Sequence, residues 1–437
     1  MQIDIHLGGR WLPCANITLR DPARPSPYGG VTLAYDAAYA KQHLQARDIR
    51  ALSVRMPVDF GVRALPTWPA FLIDLLPQGA ARRRLERSAT PLSDWDLLTL
   101  GASNPVGNLR IGSTAAESTK AKVAGYPGFD AHPGFELDEM IGRGSAFIDH
   151  AEEVGAMVAG ATDTQGEAPK FWVVQDASGR RHPDDGTLGH IARRFALLKF
   201  PVPEAGPRAV DILRHEAVYQ RAARAFGLRV TAELPEFVDG ALLIPRFDRR
   251  VGAAGEIRLG VESVYSMAGV LDSARGTLRH HEVLIELCRC ASDFETEAIE
   301  YCKRDVLNLA LGNRDNHGRN TALLKDVDGS VRLAPLYDFG PSYLDARAVA
   351  RVIRWDAESQ GRIDWTVALA NLEIRFEDAG LPPPRLDRIA VALRDIGGQL
   401  TELPQILRES GADGALIDTC RGNADALIGP LSRVKAP

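Results

Sequence analysis

Cysteine is scarce in this 437-residue chain: Cys14, Cys288, Cys290, Cys302 and Cys420 are all there are. The count is odd and no Cys-x-x-Cys occurs, which excludes a disulfide framework and the usual thiolate zinc sites. Cys288-Arg-Cys290 has no second thiol pair or histidine at ligand spacing and reads as ordinary packing; reduced cysteines fit a cytoplasmic protein. Long apolar runs are missing too. None approaches the ~18 residues of a membrane helix. The N-terminus, Met1-Gln-Ile-Asp-Ile-His6, alternates polar and apolar residues and has no secretory pattern. A strong charge of either sign is also lacking. The net charge of -5 argues against a chain built to coat nucleic acid, and Arg82-Arg-Arg84 reads as a solvated helix face. No internal repeat is apparent.

What is present is an ordinary soluble composition, 45% hydrophobic and 25% charged, at a length that predicts two or three domains. Short strands are expected around Ile3–Leu7, Val31–Tyr35 and Leu52–Met56, with Gly8-Gly9 as a turn. Helices follow at 69–76 and 95–100, and a strand at 107–112. Residues 113–134, rich in Ala, Ser, Thr, Lys, Pro and Gly, predict a linker. Beyond it come a helix from Glu136 to about Met157, strands at 171–174 and 195–200, a helix over 211–226 stopped by Gly227, and a strand at 241–245. From His280 the chain is mostly helical, with a strand at 331–333 entered through Asp328-Gly329. The expected domains are therefore 1–112, 135–250 and 251–437.

The chemistry concentrates in Asn313-Arg-Asp-Asn-His-Gly-Arg-Asn320, which follows the apolar run Val306–Leu311, and in Tyr337-Asp-Phe-Gly340. An Asp, an Asn five residues on, then Asp-Phe-Gly is the order of a kinase catalytic loop and its magnesium site. Phosphoryl transfer also needs a phosphate cradle and a cation. The polar loop Gly160-Ala161-Thr162-Asp163-Thr164-Gln-Gly166 supplies a cradle, since glycines let backbone N–H groups approach phosphate. Lys199, the single charge in Ala196-Leu-Leu-Lys-Phe200, supplies the cation, with Lys170 as a second candidate. Glu216, seventeen residues on and in a helix, is placed to pair with Lys199. Asn320 and Asp338 offer the oxygen ligands that magnesium prefers. Asp315 is expected to orient the substrate hydroxyl and accept its proton. His317 joins this catalytic group, with holding the loop by hydrogen bonding as its first reading and metal ligation as its second.

These residues resemble the HipA family, serine/threonine kinases that act as toxins in bacterial toxin–antitoxin pairs. The family stretch Asp-x-His-x-x-Asn is matched by Asp315, His317 and Asn320, and Pro-x-Tyr-Asp by Pro335-Leu-Tyr-Asp338. Its Lys-(Leu/Phe)-Pro strand is matched by Lys199-Phe-Pro201, and its characteristic Arg-Phe-Asp-Arg by Arg246-Phe247-Asp248-Arg249. Phe71-Leu-Ile-Asp-Leu-Leu-Pro77 and Val106-Gly-Asn-Leu109 resemble N-terminal segments of the family, so the resemblance covers nearly the whole chain. It implies an α+β, protein-kinase-like two-lobe fold with an N-terminal α/β domain and a mainly helical C-terminal domain. It also implies ATP and Mg2+ as cofactors, and nucleotide contacts from Gly160 to Thr164, Lys170, Lys199, Glu216, Arg246, Phe247 and Asp248. The implied substrate is a protein, of the aminoacyl-tRNA synthetase kind. The implied partner is a HipB-like helix-turn-helix antitoxin through which DNA is reached only indirectly. No membrane association is implied.

The chain departs from the family in two places. The family loop Ser-x-x-Gly-x-x-x-Lys carries a serine whose phosphorylation shuts the kinase down; Gly160–Lys170 has none, leaving Thr162 and Thr164 as candidates for autophosphorylation. The Gln-Glu-Asp segment beyond Arg-Phe-Asp-Arg is replaced by Val261-Glu-Ser-Val-Tyr265, expected to alter the substrate face. Two other readings are carried: a nucleotide-binding partner of a DNA-binding antitoxin without transfer activity, and a metal-dependent nuclease or phosphohydrolase built on Asp315, Asn316, His317 and Asp338.

Overall fold

In the computed structural model the described residues are all but 78–81, 83–84, 87–90, 103, 113–132, 143–146, 148–150, 152–169, 185, 202–205, 254, 272–277, 346–348 and 360–361. The expected loop Gly160–Gly166 and nearly all of the expected linker lie outside them. The chain divides into two compact units: Met1–Glu204, Glu236–Leu271 and Leu324–Gly329 form the first, and Ala205–Pro235, Asp272–Leu323 and Ser330–Pro437 the second.

Among its described residues the first unit holds two five-stranded antiparallel sheets and a two-stranded one, Arg249–Gly252 with Gly255–Arg258. One runs Arg63–Leu65, Val31–Tyr35, Arg10–Leu19, Gln2–Leu7, Leu109–Ile111 across its width. Its first hairpin closes through Gly8 and Gly9, whose φ of 57° and 78° is the left-handed pair a two-residue turn demands, and Leu7 faces Arg10 across it. Alternation buries Ile3, Ile5, Ile17, Val31 and Leu33 against Phe71, Leu72, Leu97 and Leu98. The latter come from helices Phe71–Leu75 and Asp94–Gly101, the second opened by a capping box between Ser93 and Asp96.

Two expectations change here. Leu52–Met56 is no strand: only an isolated Ser53–Met56 bridge forms, because the Ser53 hydroxyl and the Val54 N–H are drawn to the buried Glu262 carboxylate. A helix the sequence analysis did not propose, Ala37–His43, starts where the Asp36 carboxylate accepts from the N–H groups of Ala38 and Tyr39.

The second sheet has the order Arg181–Pro183, Lys170–Gln175, Arg194–Lys199, Ala241–Pro245, Glu236–Val238. One face buries Phe171, Val173, Leu198 and Phe200 against Phe135, Met140 and Phe147. Of the helix expected over 136–157, Leu137–Ile141 is described as one helix; most of the remainder lies outside the described residues.

The second unit is mainly helical: Pro207–Ala225, His280–Cys290, Phe294–Ala310, Trp365–Asp378, Leu386–Gln399, Leu403–Glu409 and Gly414–Ser432. Helix Phe294–Ala310 carries an apolar stripe (Ala298, Tyr301, Val306, Leu307, Ala310) and delivers the chain to Asn313. All five cysteines are free thiols.

Candidate active site

In the second unit the polar stretch begins where helix Phe294–Ala310 stops. Gly312 turns the chain at φ 69°, and a Cβ there would lie 3.0 Å from the Tyr343 ring, so the sharp exit needs glycine. Asn313 then folds the loop over itself. Its Nδ2 donates to Asn308 Oδ1 at 2.8 Å, and its Oδ1 accepts from the Asp315 N–H at 3.2 Å. The Asn320 Nδ2 donates to the Asp315 carbonyl at 2.9 Å, and the Asn320 N–H to the His317 carbonyl at 3.0 Å. His317 Nδ1 accepts from the Arg319 N–H at 3.3 Å, which leaves Nε2 to carry the proton, 3.4 Å from Asp315 Oδ1. Asp315, His317 and Asn320 are thus brought together.

The second motif is braced from helix Pro207–Ala225. Gln220 Nε2 donates to the Leu336 carbonyl at 3.1 Å, and Tyr219 packs on Phe339 with ring centroids 5.6 Å apart. Across from it the Leu336 N–H donates to the Arg229 carbonyl, and the Tyr337 hydroxyl reaches the Arg319 carbonyl at 2.5 Å, tying this motif to the first. Gly340 runs past Glu216, whose Cβ lies 3.6 Å from where a Gly340 Cβ would be. Asp338 holds φ 46°, a left-handed conformation rare outside glycine. Gln220 and Tyr219 went unnoticed in the sequence, since a lone Gln on a helix carries no motif.

A magnesium ion calls for oxygen donors. Asn320 is buried, its Nδ2 is spent on Asp315, and its Oδ1 has no partner among the described residues. An orphaned buried amide oxygen is costly unless something binds it. Amide and carboxylate oxygens, such as those of Asn320 and Asp338, are the kind of donor magnesium accepts. The nuclease reading fares worse: Asn316 spends both ends of its amide on backbone, accepting from the Val352 N–H at 2.8 Å and donating to the Ile353 carbonyl at 2.7 Å. Among the described residues no cluster of three or more His, Cys, Asp or Glu is arranged for a metal.

In the first unit, Lys199 ends its strand at 4% exposure. Lys170 lies directly opposite it in the antiparallel register. Lys199 and the Asp315–Asn320 stretch fall in different units, as do Lys199 and Glu216. Of the Arg-Phe-Asp-Arg run, Arg246 grips Asp248 through two bonds of 2.8 and 2.7 Å and lies 3.7 Å over the Trp172 ring. Asp248 also accepts from the Gly107 N–H, and Arg249 donates to the Gly107 and Pro105 carbonyls. Burial would raise the Asp248 carboxyl, but Arg246 and Arg249 outweigh it and hold it well below the usual carboxylate range. The charged side chains of this run are therefore committed inside the unit, with Phe247 half-buried between them. The segment expected to alter a substrate face is also interior: Glu262, Ser263 and Tyr265 are buried, and Ser263 bonds Asp74.

With this geometry in view, the chain can be set beside known proteins. Its fold is that of HipA. It matches a chain of the Shewanella oneidensis MR-1 toxin–antitoxin complex of HipA, HipB and operator DNA with a TM-score of 0.62 at 15% identity, over 99% of this chain and 97% of that one. Residues 162–396 match the HipA-like C-terminal domain, more than half of the sequence, and the chain belongs to that family. It is also 30% identical over 149 residues to the "Putative kinase Y4mE" of Sinorhizobium fredii (strain NBRC 101917 / NGR234), a match spanning 32% of this chain and 34% of that relative's length.

Proposed function

We propose that the chain transfers the γ-phosphoryl group of ATP to a serine or threonine hydroxyl of a protein. The observation that carries this reading is Asn320: its nitrogen closes the loop onto Asp315 while its oxygen stays buried with no partner among the described residues. Asn320 and Asp338 would hold magnesium, which when bound neutralises charge on the β- and γ-phosphates. Lys170 and Lys199 bind phosphate, and Glu216 is a further residue of the nucleotide site. Asp315, kept in place by Asn313 and Asn320, orients the acceptor hydroxyl. As the hydroxyl oxygen bonds to phosphorus and the bond to the ADP oxygen breaks, the hydroxyl proton passes to Asp315. His317 keeps the loop closed. Gly160 to Thr164 cover the phosphates, with Thr162 or Thr164 as the self-modified residue. Arg246, Phe247 and Asp248 border the base of the nucleotide.

Family membership and the HipB in the Shewanella complex support a toxin role in the cytoplasm, with a HipB-like antitoxin as partner and an aminoacyl-tRNA synthetase as a fitting target. The similarity of about a third of the chain to the putative kinase Y4mE supports the same kinase-type reading.

The test is transfer of label from [γ-32P]ATP into lysate proteins. Wild type is expected to label them, Asp315→Ala to fall by at least about a hundredfold with ATP still bound, and Lys199→Met to bind ATP at least about tenfold more weakly. Equal labelling by wild type and Asp315→Ala sinks the proposal. ATP binding with no transfer by wild type leaves the nucleotide-binding partner of an antitoxin as the function.

A further inference from the structure

A segment of the second unit that no motif marks, Arg351-Val-Ile-Arg-Trp355, is fastened to the catalytic stretch by one side chain. Asn316, between Asp315 and His317, accepts from the Val352 N–H at 2.8 Å through Oδ1 and donates to the Ile353 carbonyl at 2.7 Å through Nδ2. Both ends of a buried amide are thus used on neighbouring residues of one extended chain, in the manner of a peptide group in a strand pair.

The segment is bolted independently on its other side. The Arg351 guanidinium meets both oxygens of Asp305 at 3.1 and 3.2 Å, and the Trp355 indole N–H donates to Asp305 Oδ2 at 2.9 Å. The Arg354 carbonyl accepts from the His280 N–H at 3.2 Å, and the Trp355 ring stacks on His280 with centroids 4.6 Å apart. Asp305 sits on helix Phe294–Ala310, the helix that delivers the chain to Asn313. Helix, loop, Asn316, segment and Asp305 therefore form a closed frame. Asn316 is the one link of that frame made of a single side chain, and it is the immediate neighbour of Asp315.

We infer that Asn316 is a positioning residue: by clamping Val352 and Ile353 it fixes where its neighbour Asp315 stands. This rests on the phosphotransfer reading above. The physical ground is that reacting groups must be held near 3 Å, and a misplacement of about 1 Å costs on the order of a hundredfold in rate. The chain's phosphate-binding lysines lie elsewhere in the sequence, so the clamp acts on turnover and leaves nucleotide binding alone.

Wild type, Asn316→Ala and Asp315→Ala are compared by initial rates of label transfer into lysate proteins across ATP concentrations, with binding of a fluorescent N-methylanthraniloyl-ATP measured separately. Asn316→Ala is expected to lose at least about tenfold in rate at saturating ATP, with the KM for ATP and the dissociation constant of the fluorescent nucleotide within about twofold of wild type. Asn316→Asp, which keeps the acceptor for the Val352 N–H, is expected to fall between the two. Hydrogen exchange of the wild type alone checks the clamp without any variant: the Val352 amide is expected to be protected. A wild-type rate for Asn316→Ala, a loss confined to the KM for ATP, or a Val352 amide exchanging at the free-chain rate overturns the inference. A wild type that binds nucleotide and transfers nothing overturns the phosphotransfer reading and this inference together. Transfer by wild type that Asp315→Ala abolishes and Asn316→Ala preserves overturns this inference alone.

Discussion

Asp338 is asked to do something an aspartate does at a cost. Its φ of 46° lies in a region where a side chain crowds its own backbone, a strain of order 1 kcal/mol even for Asp. A glycine would sit there without strain, and the segment would keep its Leu336 bonds to Gln220 and Arg229. The carboxylate thus stands against the local preference, which fits the metal-ligand role proposed for it. Asp338→Gly is expected to unfold at equal or higher urea concentration than wild type, by up to about 1 kcal/mol, while losing phosphoryl transfer by at least about a hundredfold. A glycine variant that is clearly less stable, or that keeps its activity, removes the argument. At this scale much of the candidate site was legible. Asp315, His317 and Asn320 are close in sequence, so one loop brings them together. The residues that brace them were not legible, because Gln220 and Arg229 reach Leu336 from more than a hundred positions away and carry no spacing signal.

Helix His280–Cys290 opens on a histidine that the fold keeps neutral. Burial is the largest influence on His280 and pushes its pKa down from 6.5 to about 4, against the attraction of Asp305. Its Nδ1 meets the Tyr301 hydroxyl at 2.9 Å. Between pH 6.5 and about 4 the unfolded chain takes up a proton at this residue and the folded chain does not. Stability is therefore complete above that window and is lost as pH falls through it, by on the order of 3 kcal/mol. His6 in the first unit, depressed to about 4 by burial and then by Arg258, acts in the same direction. In thermal unfolding from pH 7 to pH 4.5, the wild-type Tm is expected to fall, and His280→Gln to show a shallower fall. An unchanged slope in His280→Gln would remove His280 as the source. Elements with a clear apolar period, such as strand Val31–Tyr35 and helix Phe294–Ala310, could be read from local sequence alone. Leu52–Met56 could not, because its alternation imitates a strand while its bonding is set by Glu262, some two hundred residues on. Helix Ala37–His43 is too short for a period, and its cap Asp36 is a signal only once the helix is known.

At the scale of the whole chain, the first unit is assembled from three separated stretches, the last being only Leu324–Gly329. So short a stretch contributes little apolar area, and charged groups do much of the holding. Lys325 is 1% exposed and donates to Glu262 Oε2 and to the Ala51 carbonyl, each at 3.2 Å. Glu262 also accepts from Ser53, Val54 and Ser266, so both of its oxygens are satisfied. Arg250 meets Asp326 through two bonds at the next position. A buried pair of this kind adds little over an apolar pair, but removing one partner strands the other charge. Lys325→Met is therefore expected to lower stability by about 3–5 kcal/mol, and Glu262→Gln to be costly for the same reason. The double variant, with no charge left to strand, is expected to be more stable than the sum of the two losses by at least about 1.5 kcal/mol. Equilibrium denaturation of the four proteins measures this, and simple additivity would show that the two charges do not depend on each other. This link was not foreseen from the sequence, where Val261–Tyr265 was read as a departure from the family on the substrate face. Its Glu and Ser instead hold distant stretches of one unit together, Glu262 through Lys325 and Ser263 through Asp74. A carboxylate that binds four partners by folding, among them a lysine some sixty residues on, has no local pattern to betray it.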